Sequence, residues 1–378
     1  MTSRFEQQSF FANREYDRTL LTGPAGCGKT AYVLQLVHDA PRHGWALLLL
    51  PDRLQQKAVK ARSRRIGRAR LQTYQFAALA GRLLHLVGSQ VVQLDAPLQD
   101  LLLRGVLREL LEQQRLVHFA AVAQKPGFVA TIGQLLTEAQ NAEVSPDRLA
   151  QAAVTPYDAE LGLIYAAYLE ALHRQNLADS AHRLKLATDA LQQQPDLLDG
   201  LDLLVVDGFS QFTLLQLRLL QALTHCARRT YITLTGDQRE RLAHRRFLRT
   251  RDALHATLPS LQTVFCHAEQ QPTETQGGGL EGSVDRGPQT VDKHRTSVAD
   301  IHTFEQGGGG TEEAAVLAFL EANLFELESP APLPADEVLT VIEAADRERE
   351  VRAVLRQVRT LLVQGTPPEQ VAILFRKG

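Results

Sequence analysis

The sequence predicts an α/β protein: a parallel sheet interrupted by an all-helical insertion and followed by the start of a second α/β unit. Three observations carry this. Short apolar runs at 19–22, 45–51, 201–208 and 229–238 end in glycine, proline or polar tips, the pattern of strands buried on both faces. From about Leu94 to Gln194 such runs disappear, and Leu, Ala and Gln recur at helical spacing with Pro97, Pro126, Pro146, Pro156 and Pro195 as punctuation. Beyond residue 311, helical and strand-like runs alternate again.

Composition bounds the function classes. A chain of 378 residues, 44% hydrophobic and 22% charged, supports two or three globular domains. Its net charge of −2 excludes a global basic field, so any nucleic-acid contact must be local. Two stretches are locally basic: Lys57, Lys60, Arg62, Arg64, Arg65 and Arg68 within 53–70, and Arg241, Arg245, Arg246 and Arg249 within 239–251. Each reads either as a phosphate-contacting patch or as a solvated helix face. Three cysteines, Cys27, Cys226 and Cys266, exclude a disulfide framework and argue against a zinc or iron–sulfur site. The N-terminus is polar and no apolar run approaches the length of a membrane span, so a cytoplasmic protein without membrane contact is expected.

The first run, Thr19 to Thr22, leads into Gly23-Pro24-Ala25-Gly26-Cys27-Gly28-Lys29-Thr30 and then an apolar helical start at Tyr32. Strand, glycine loop and helix are the context as well as the pattern of a P-loop. Gly23, Gly26 and Gly28 let the backbone bend so that successive N–H groups, Cys27 among them, turn toward a di- or triphosphate at the helix N-terminus. Lys29 is expected to reach the β/γ-phosphates and the Thr30 hydroxyl to bind Mg²⁺. Trp45 to Pro51 supplies the second strand of a right-handed βαβ unit. A third strand is expected at 69–73, followed by a helix over 76–84.

After the helical insertion, Leu201 to Val206 forms a strand that ends in Asp207. In a P-loop protein that carboxylate faces the nucleotide and holds Mg²⁺ through water; the alternative is a helix-capping Asp. A second carboxylate usually follows to orient the attacking water, but position 208 is glycine. A helix is expected over 214–226. The next strand, 229–238, ends at Gln238, which reads either as a γ-phosphate sensor or as a polar loop residue. Residues 269–310 are rich in Gly, Gln, Thr and charge and read as a disordered linker. A helix at 312–324, a strand at 338–343, a helix at 346–363 and a strand at 371–376 then open the second α/β unit.

This order of motifs resembles the motor core of UvrD/Rep-type superfamily 1 helicases. The motifs are the P-loop, Leu50-Pro51-Asp52-Arg53-Leu54, Thr73-Tyr74-Gln75-Phe76-Ala77-Ala78-Leu79-Ala80, Val206-Asp207-Gly208-Phe209 and Thr235-Gly236-Asp237-Gln238. More closely it is similar to the AddB-like component of AddAB-type helicase–nucleases. Pro126-Gly127-Phe128-Val129, Ile164-Tyr165-Ala166-Ala167-Tyr168-Leu169 leading to Asp179, and Asp207-Gly208-Phe209-Ser210-Gln211-Phe212-Thr213 carry that closer likeness. The resemblance implies a RecA-like P-loop domain in two halves, 1–93 and 197–268. An all-helical insertion at 94–196 separates them, a linker at 269–310 follows, and a second RecA-like domain begins at 311–378.

It also implies ATP and Mg²⁺ as cofactors. Gly23, Gly26, Cys27, Gly28, Lys29, Thr30 and Gln238 would contact the nucleotide, and Thr30 and Asp207 the metal. Arg53, Thr73, Tyr74 and Phe76 fall where such helicases contact single-stranded DNA; for Tyr74 and Phe76, core packing is an equal alternative. The implied partners are single- or double-stranded DNA ends and an A-type helicase–nuclease subunit.

Two departures accompany the likeness. Gly208 stands where active motors carry glutamate, and the later helicase motifs and the C-terminal nuclease domain, with its iron–sulfur staple, lie beyond Gly378. A fragment, a split-gene product or a degenerate paralogue is therefore expected. Its activity would be that of an ATP- and DNA-binding module of a recombinational repair complex, with weak or no hydrolysis and no nuclease of its own. The alternatives are an autonomous P-loop ATPase or kinase unrelated to DNA, and a scaffold that binds ATP for stability.

Overall fold

A computed structural model describes residues 17–38, 44–62, 71–236, 244–266, 311–324, 330–335 and 338–374. The chain divides into two compact units, residues 1–305 and 306–378.

The strands of the first unit are β1 (Asp17–Gly23), β2 (Trp45–Leu49), β3 (Leu71–Tyr74), β4 (Val92–Gln93), β5 (Leu177–Ala178), β6 (Leu201–Val206), β7 (Arg229–Thr235) and β8 (Gln262–Phe265). Six of them form one parallel sheet in the order β3-β2-β6-β7-β1-β8. Parallel strands cannot be joined by tight turns, so helices must cross over and cover the faces. The helices of this unit are α1 (Lys29–His38), α2 (Arg53–Arg62), α3 (Phe76–Leu86), α4 (Ala96–Glu112), α5 (Pro126–Asn141), α6 (Pro146–Gln151), α7 (Pro156–Arg174), α8 (Ser180–Gln193), α9 (Leu214–Cys226) and α10 (Arg245–Thr257).

Strand periodicity sorts the core into two layers. Leu20, Leu47, Leu49, Leu204, Val206, Ile232 and Leu234 point to one face, where α3, α8, α9 and α10 pack. Leu21, Ala46, Leu48, Leu203 and Val205 point to the other, against Val33 and Val37 of α1 and Val59 of α2. Every residue of β6 is buried, so its sequence is nearly all apolar. β8 lies at the sheet edge with Gln262 and Thr263 exposed. That edge position interrupts its apolar pattern and left it without a strand signature.

The helical insertion has its own core. Leu103 and Leu107 of α4, Ile132 and Leu136 of α5, and Ile164 and Tyr168 of α7 meet there. Proline opens α5, α6 and α7, and Ser145 and Thr155 cap α6 and α7. The last helix of the stretch, α8, instead places Ala181, Leu184, Ala187 and Leu191 in the sheet's core beside α3. One detail corrects the expectation that 94–194 contains no strand: β5 pairs in parallel with β4, Val92 opposite Leu177. Two residues are too few to leave a periodic signal.

The second unit contains α11 (Thr311–Asn323) and α12 (Arg347–Val363). Asp346 caps α12 by accepting from the Arg349 N–H at 2.8 Å. The strands expected at 338–343 and 371–376 do not appear among the described residues of these stretches, where Val341 is 93% and Leu374 is 95% exposed. A strand exists through its ladder, and the described residues of these runs pair with no other described strand. Phe375 and Arg376, like the linker at 269–310, lie outside the described residues. No helix among the described residues is long and apolar enough to cross a membrane.

Candidate functional site

Because the six strands run the same way, their C-terminal ends share one edge, and ligand-binding loops of open α/β sheets gather at such an edge. The turn after β1 is built by its glycines. Gly26 and Gly28 have φ of 81° and 86°, in the left-handed region that L side chains avoid. Gly23 is needed for close approach, since a Cβ there would lie 2.5 Å from the Cys266 carbonyl oxygen. The Gly236 N–H, just past β7, donates to the Gly23 carbonyl at 2.9 Å and ties the two strand ends together.

Lys29 and Thr30 open α1. The Lys29 ammonium donates to the carbonyls of Gly23 and Pro24 at 2.9 and 2.7 Å, and its Nζ lies 3.4 Å from Cys27 Sγ. The Thr30 hydroxyl donates to Asp207 Oδ2 at 2.9 Å, and the Thr233 hydroxyl donates to Asp207 Oδ1. Asp207 is 6% exposed, and its N–H continues the ladder to the Leu49 carbonyl. The fold thus brings together Lys29, Thr30 and Asp207, three of the residues the sequence singled out. The helix-capping alternative for Asp207 is not what the structure shows, because its carboxylate is taken by the two threonine hydroxyls.

Beneath the loop, Cys27 is buried and its thiol is lowered to about 6. A hydrogen bond from the Cys266 thiol is the main cause, and the Lys29 charge adds to it against the opposing effect of burial. Cys266 is pushed up correspondingly, as the partner that keeps its proton.

Gly208 has φ of 82°, and a side chain there would run into the Gln55 carboxamide. Arg53 is exposed in the first turn of α2. Thr73 is half-buried; its carbonyl accepts from Gln56 Nε2 at 2.6 Å, and its own hydroxyl is buried without a hydrogen-bond partner. Tyr74 is half-buried with its hydroxyl 3.4 Å from Gln72 Oε1. Phe76 corrects the DNA-stacking expectation: it is 4% exposed and meets Phe209 and Phe212 edge-on at 5.3 and 6.2 Å. Core packing therefore holds its ring, leaving no free face for a base.

Of the basic stretches, Lys57 and Lys60 on α2 and Arg245, Arg246 and Arg249 on α10 are at least partly exposed. Arg64, Arg65, Arg68 and Arg241 lie outside the described residues, as does Gln238. Sequence reasoning missed Thr233, Gln55 and Cys266. Thr233 had a signal, a polar residue inside a buried strand, whereas Cys266 stands 239 positions from Cys27 and had none.

Residues 20–277 match the protein family described as ADDB, N-terminal. The chain belongs to that family. The AddB-like resemblance drawn from the motifs is thereby borne out. Among similar proteins, three are named as the B-type subunit of an ATP-dependent helicase/deoxyribonuclease. That of Pelotomaculum thermopropionicum is 32% identical over 57% of this chain and 20% of its own length. That of Caldanaerobacter subterraneus subsp. tengcongensis is 29% identical over 57% of this chain and 19% of its own. That of Symbiobacterium thermophilum is 26% identical over 94% of this chain and 30% of its own. This AddB-type chain therefore spans less than a third of the length of the relatives it matches.

Proposed function

We propose that this chain is the nucleotide-binding, DNA-contacting, helicase-like part of a protein that works with an A-type partner in a helicase–nuclease complex repairing double-strand breaks. The parallel sheet is read as RecA-like, with β7 lying between the strand of the glycine loop and the strand of Asp207. The observation that carries the reading is the meeting of Thr30 and Asp207 at 2.9 Å, across 177 positions, next to Lys29. Family membership supports it, as does the name of the relatives, which describes one component of an ATP-dependent enzyme.

The donor set suits Mg²⁺. The cation takes hard oxygen ligands and is commonly bound through one or two protein groups plus substrate phosphates, and Thr30 and Asp207 supply a hydroxyl and a carboxylate oxygen. When bound, Mg²⁺ supplies charge neutralisation at the phosphates. Lys29 contributes the other positive charge, exchanging two carbonyl contacts for phosphate oxygens, a stronger charge-assisted bond. The loop N–H groups and the start of α1 orient the phosphates.

Hydrolysis is weak in this reading. Position 208 offers no carboxylate, and its backbone conformation disfavours any side chain. Arg53, Thr73 and Tyr74 stand at the same sheet edge and are the proposed contacts to a single strand, with the exposed cations of α2 adding phosphate contacts.

Calorimetric titration with Mg-ATP tests the site. Wild-type protein is expected to bind, and Lys29→Ala to lose at least about tenfold in affinity. Equal affinity in the two proteins would falsify the assignment. Binding of a fluorescent oligonucleotide is expected to weaken steeply with salt, and a flat response would remove the phosphate contacts from the proposal.

A further inference from the structure

Beside the exposed loop tip Ala25-Gly26, two thiols far apart in the sequence border one glycine. A Cβ placed on Gly23 would lie 2.8 Å from Cys27 Sγ and 3.2 Å from Cys266 Cβ, so both side chains border the same atom-sized gap. The Cys266 N–H is held to the Thr22 carbonyl at 2.7 Å, which fixes that residue at the end of the β1–β8 ladder. Cys27 and Cys266 are 5% and 3% exposed, and the Lys29 ammonium lies 3.4 Å from Cys27 Sγ. A buried thiol that faces a cation and borders a second thiol is the arrangement that favours one thiolate beside one protonated partner. The third cysteine, Cys226 at the end of α9, has its thiol pushed up to about 12 by burial.

We propose that Cys27 and Cys266 are a peroxide-reactive thiol pair whose disulfide locks the phosphate loop to the sheet edge. The oxidant is a hydroperoxide. The Cys27 thiolate attacks the peroxide oxygen, the O–O bond breaks, and Cys27 becomes a sulfenic acid with release of hydroxide or alkoxide. Cys266 sulfur then attacks the Cys27 sulfur and the S–S bond forms. The sulfenic hydroxyl leaves as water with the proton that Cys266 gives up. The two electrons taken by the peroxide are those removed from the two thiols.

The consequence for nucleotide rests on the P-loop reading above. The disulfide removes the thiolate facing Lys29 and pins the residue that precedes Gly28, so the loop can no longer turn its N–H groups onto a phosphate. Oxidised protein is expected to bind Mg-ATP at least about tenfold more weakly than reduced protein.

The test is peroxide treatment of the full chain, blocking of free thiols, and non-reducing peptide mapping by mass spectrometry, alongside calorimetry with Mg-ATP. The expected result is a Cys27–Cys266 linked peptide with Cys226 still alkylated, absent from Cys27→Ser and Cys266→Ser, and reversed by dithiothreitol together with recovered affinity. The Cys266→Ser variant is expected to keep its nucleotide affinity through the same treatment once its sulfenic acid is reduced. Over-oxidation of Cys27 without a linked peptide, or linkage through Cys226, overturns the proposal even if reduced protein binds Mg-ATP normally. A linked peptide in a protein that binds no nucleotide when reduced supports the thiol pair and refutes the P-loop reading instead.

Discussion

Three buried carboxylates, in two regions of the molecule, are satisfied in different ways. In the helical insertion, Glu160 accepts from the backbone N–H groups of Val117, His118 and Phe119 at 2.7 to 3.0 Å and contacts the His118 imidazole at 2.9 Å. Asp179, at the start of α8, accepts from the Tyr168 hydroxyl, the Gln140 amide and the His182 N–H at 2.8 to 2.9 Å. Asp207, at the sheet edge, accepts from two threonine hydroxyls among the described residues. Backbone and amide N–H groups can only donate, whereas a hydroxyl can turn and offer a lone pair. Glu160 is fastened by three backbone N–H groups and Asp179 by one backbone and one amide N–H beside its tyrosine hydroxyl; Asp207 sits between two hydroxyls that can release it to a cation.

The contrast implies opposite phenotypes, and the largest is at the sheet edge. Lys29→Ala is expected to lose Mg-ATP binding while its melting temperature without nucleotide stays within a degree or two, as checked by calorimetry and thermal denaturation. A large drop in stability would make Lys29 a structural residue and erase the distinction. Next is Asp179→Ala, which takes from Tyr168 and Gln140 the acceptor they share in the interior and removes a helix cap. About 3 kcal/mol of stability should go, read by urea denaturation, with Mg-ATP affinity unchanged. If Asp207→Asn cost as much stability as Asp179→Ala, the proposed division of roles would collapse. The expectation for Asp207→Asn is under about 1 kcal/mol with a clear loss of Mg²⁺-dependent affinity.

Acid separates the two regions further. Burial alone would raise Glu160, but its three backbone donors and His118 outweigh it and hold the group at about 2, below its ordinary 4.5. A carboxylate depressed in the folded state stabilises it above the unfolded pKa, and that stability is lost as pH falls. The insertion should therefore weaken progressively from about pH 4.5 toward pH 2, and Glu160→Gln should flatten that slope at a cost of about 1 to 2 kcal/mol at neutral pH. An unchanged acid profile in that variant would assign the loss elsewhere. The smallest effect expected is at position 208. Gly208→Glu, at a positive φ, should cost about 1 kcal/mol and fail to produce robust hydrolysis, measured as phosphate release with DNA present.

Much of this was legible from the chain. Strands buried on both faces announce themselves as apolar runs, so β1, β2, β6 and β7 were read close to their bounds, and α9 over 214–226 coincided with its observed span. The glycine loop was legible because its residue types are dictated by backbone geometry at each position. Edge and minimal strands were not: β8 is half exposed and β5 is two residues long. The strands read at 338–343 and 371–376 do not appear in their described residues, 338–343 and 371–374, for the converse reason, since apolar alternation states a preference and only a neighbour can satisfy it. Long-range pairings such as Thr233 with Asp207, or Cys27 with Cys266, depend on sheet order, which no local pattern encodes.

The roles assigned at the sheet edge all depend on the Thr30–Asp207 pair being a Mg²⁺-nucleotide site. A thermal-shift titration with ATP, with and without Mg²⁺, on wild-type and Asp207→Asn protein asks this most directly. The expected result is a rise in melting temperature that requires Mg²⁺ in the wild type and is largely abolished in the variant. A rise of equal size in both proteins, or one independent of Mg²⁺, would contradict the assignment.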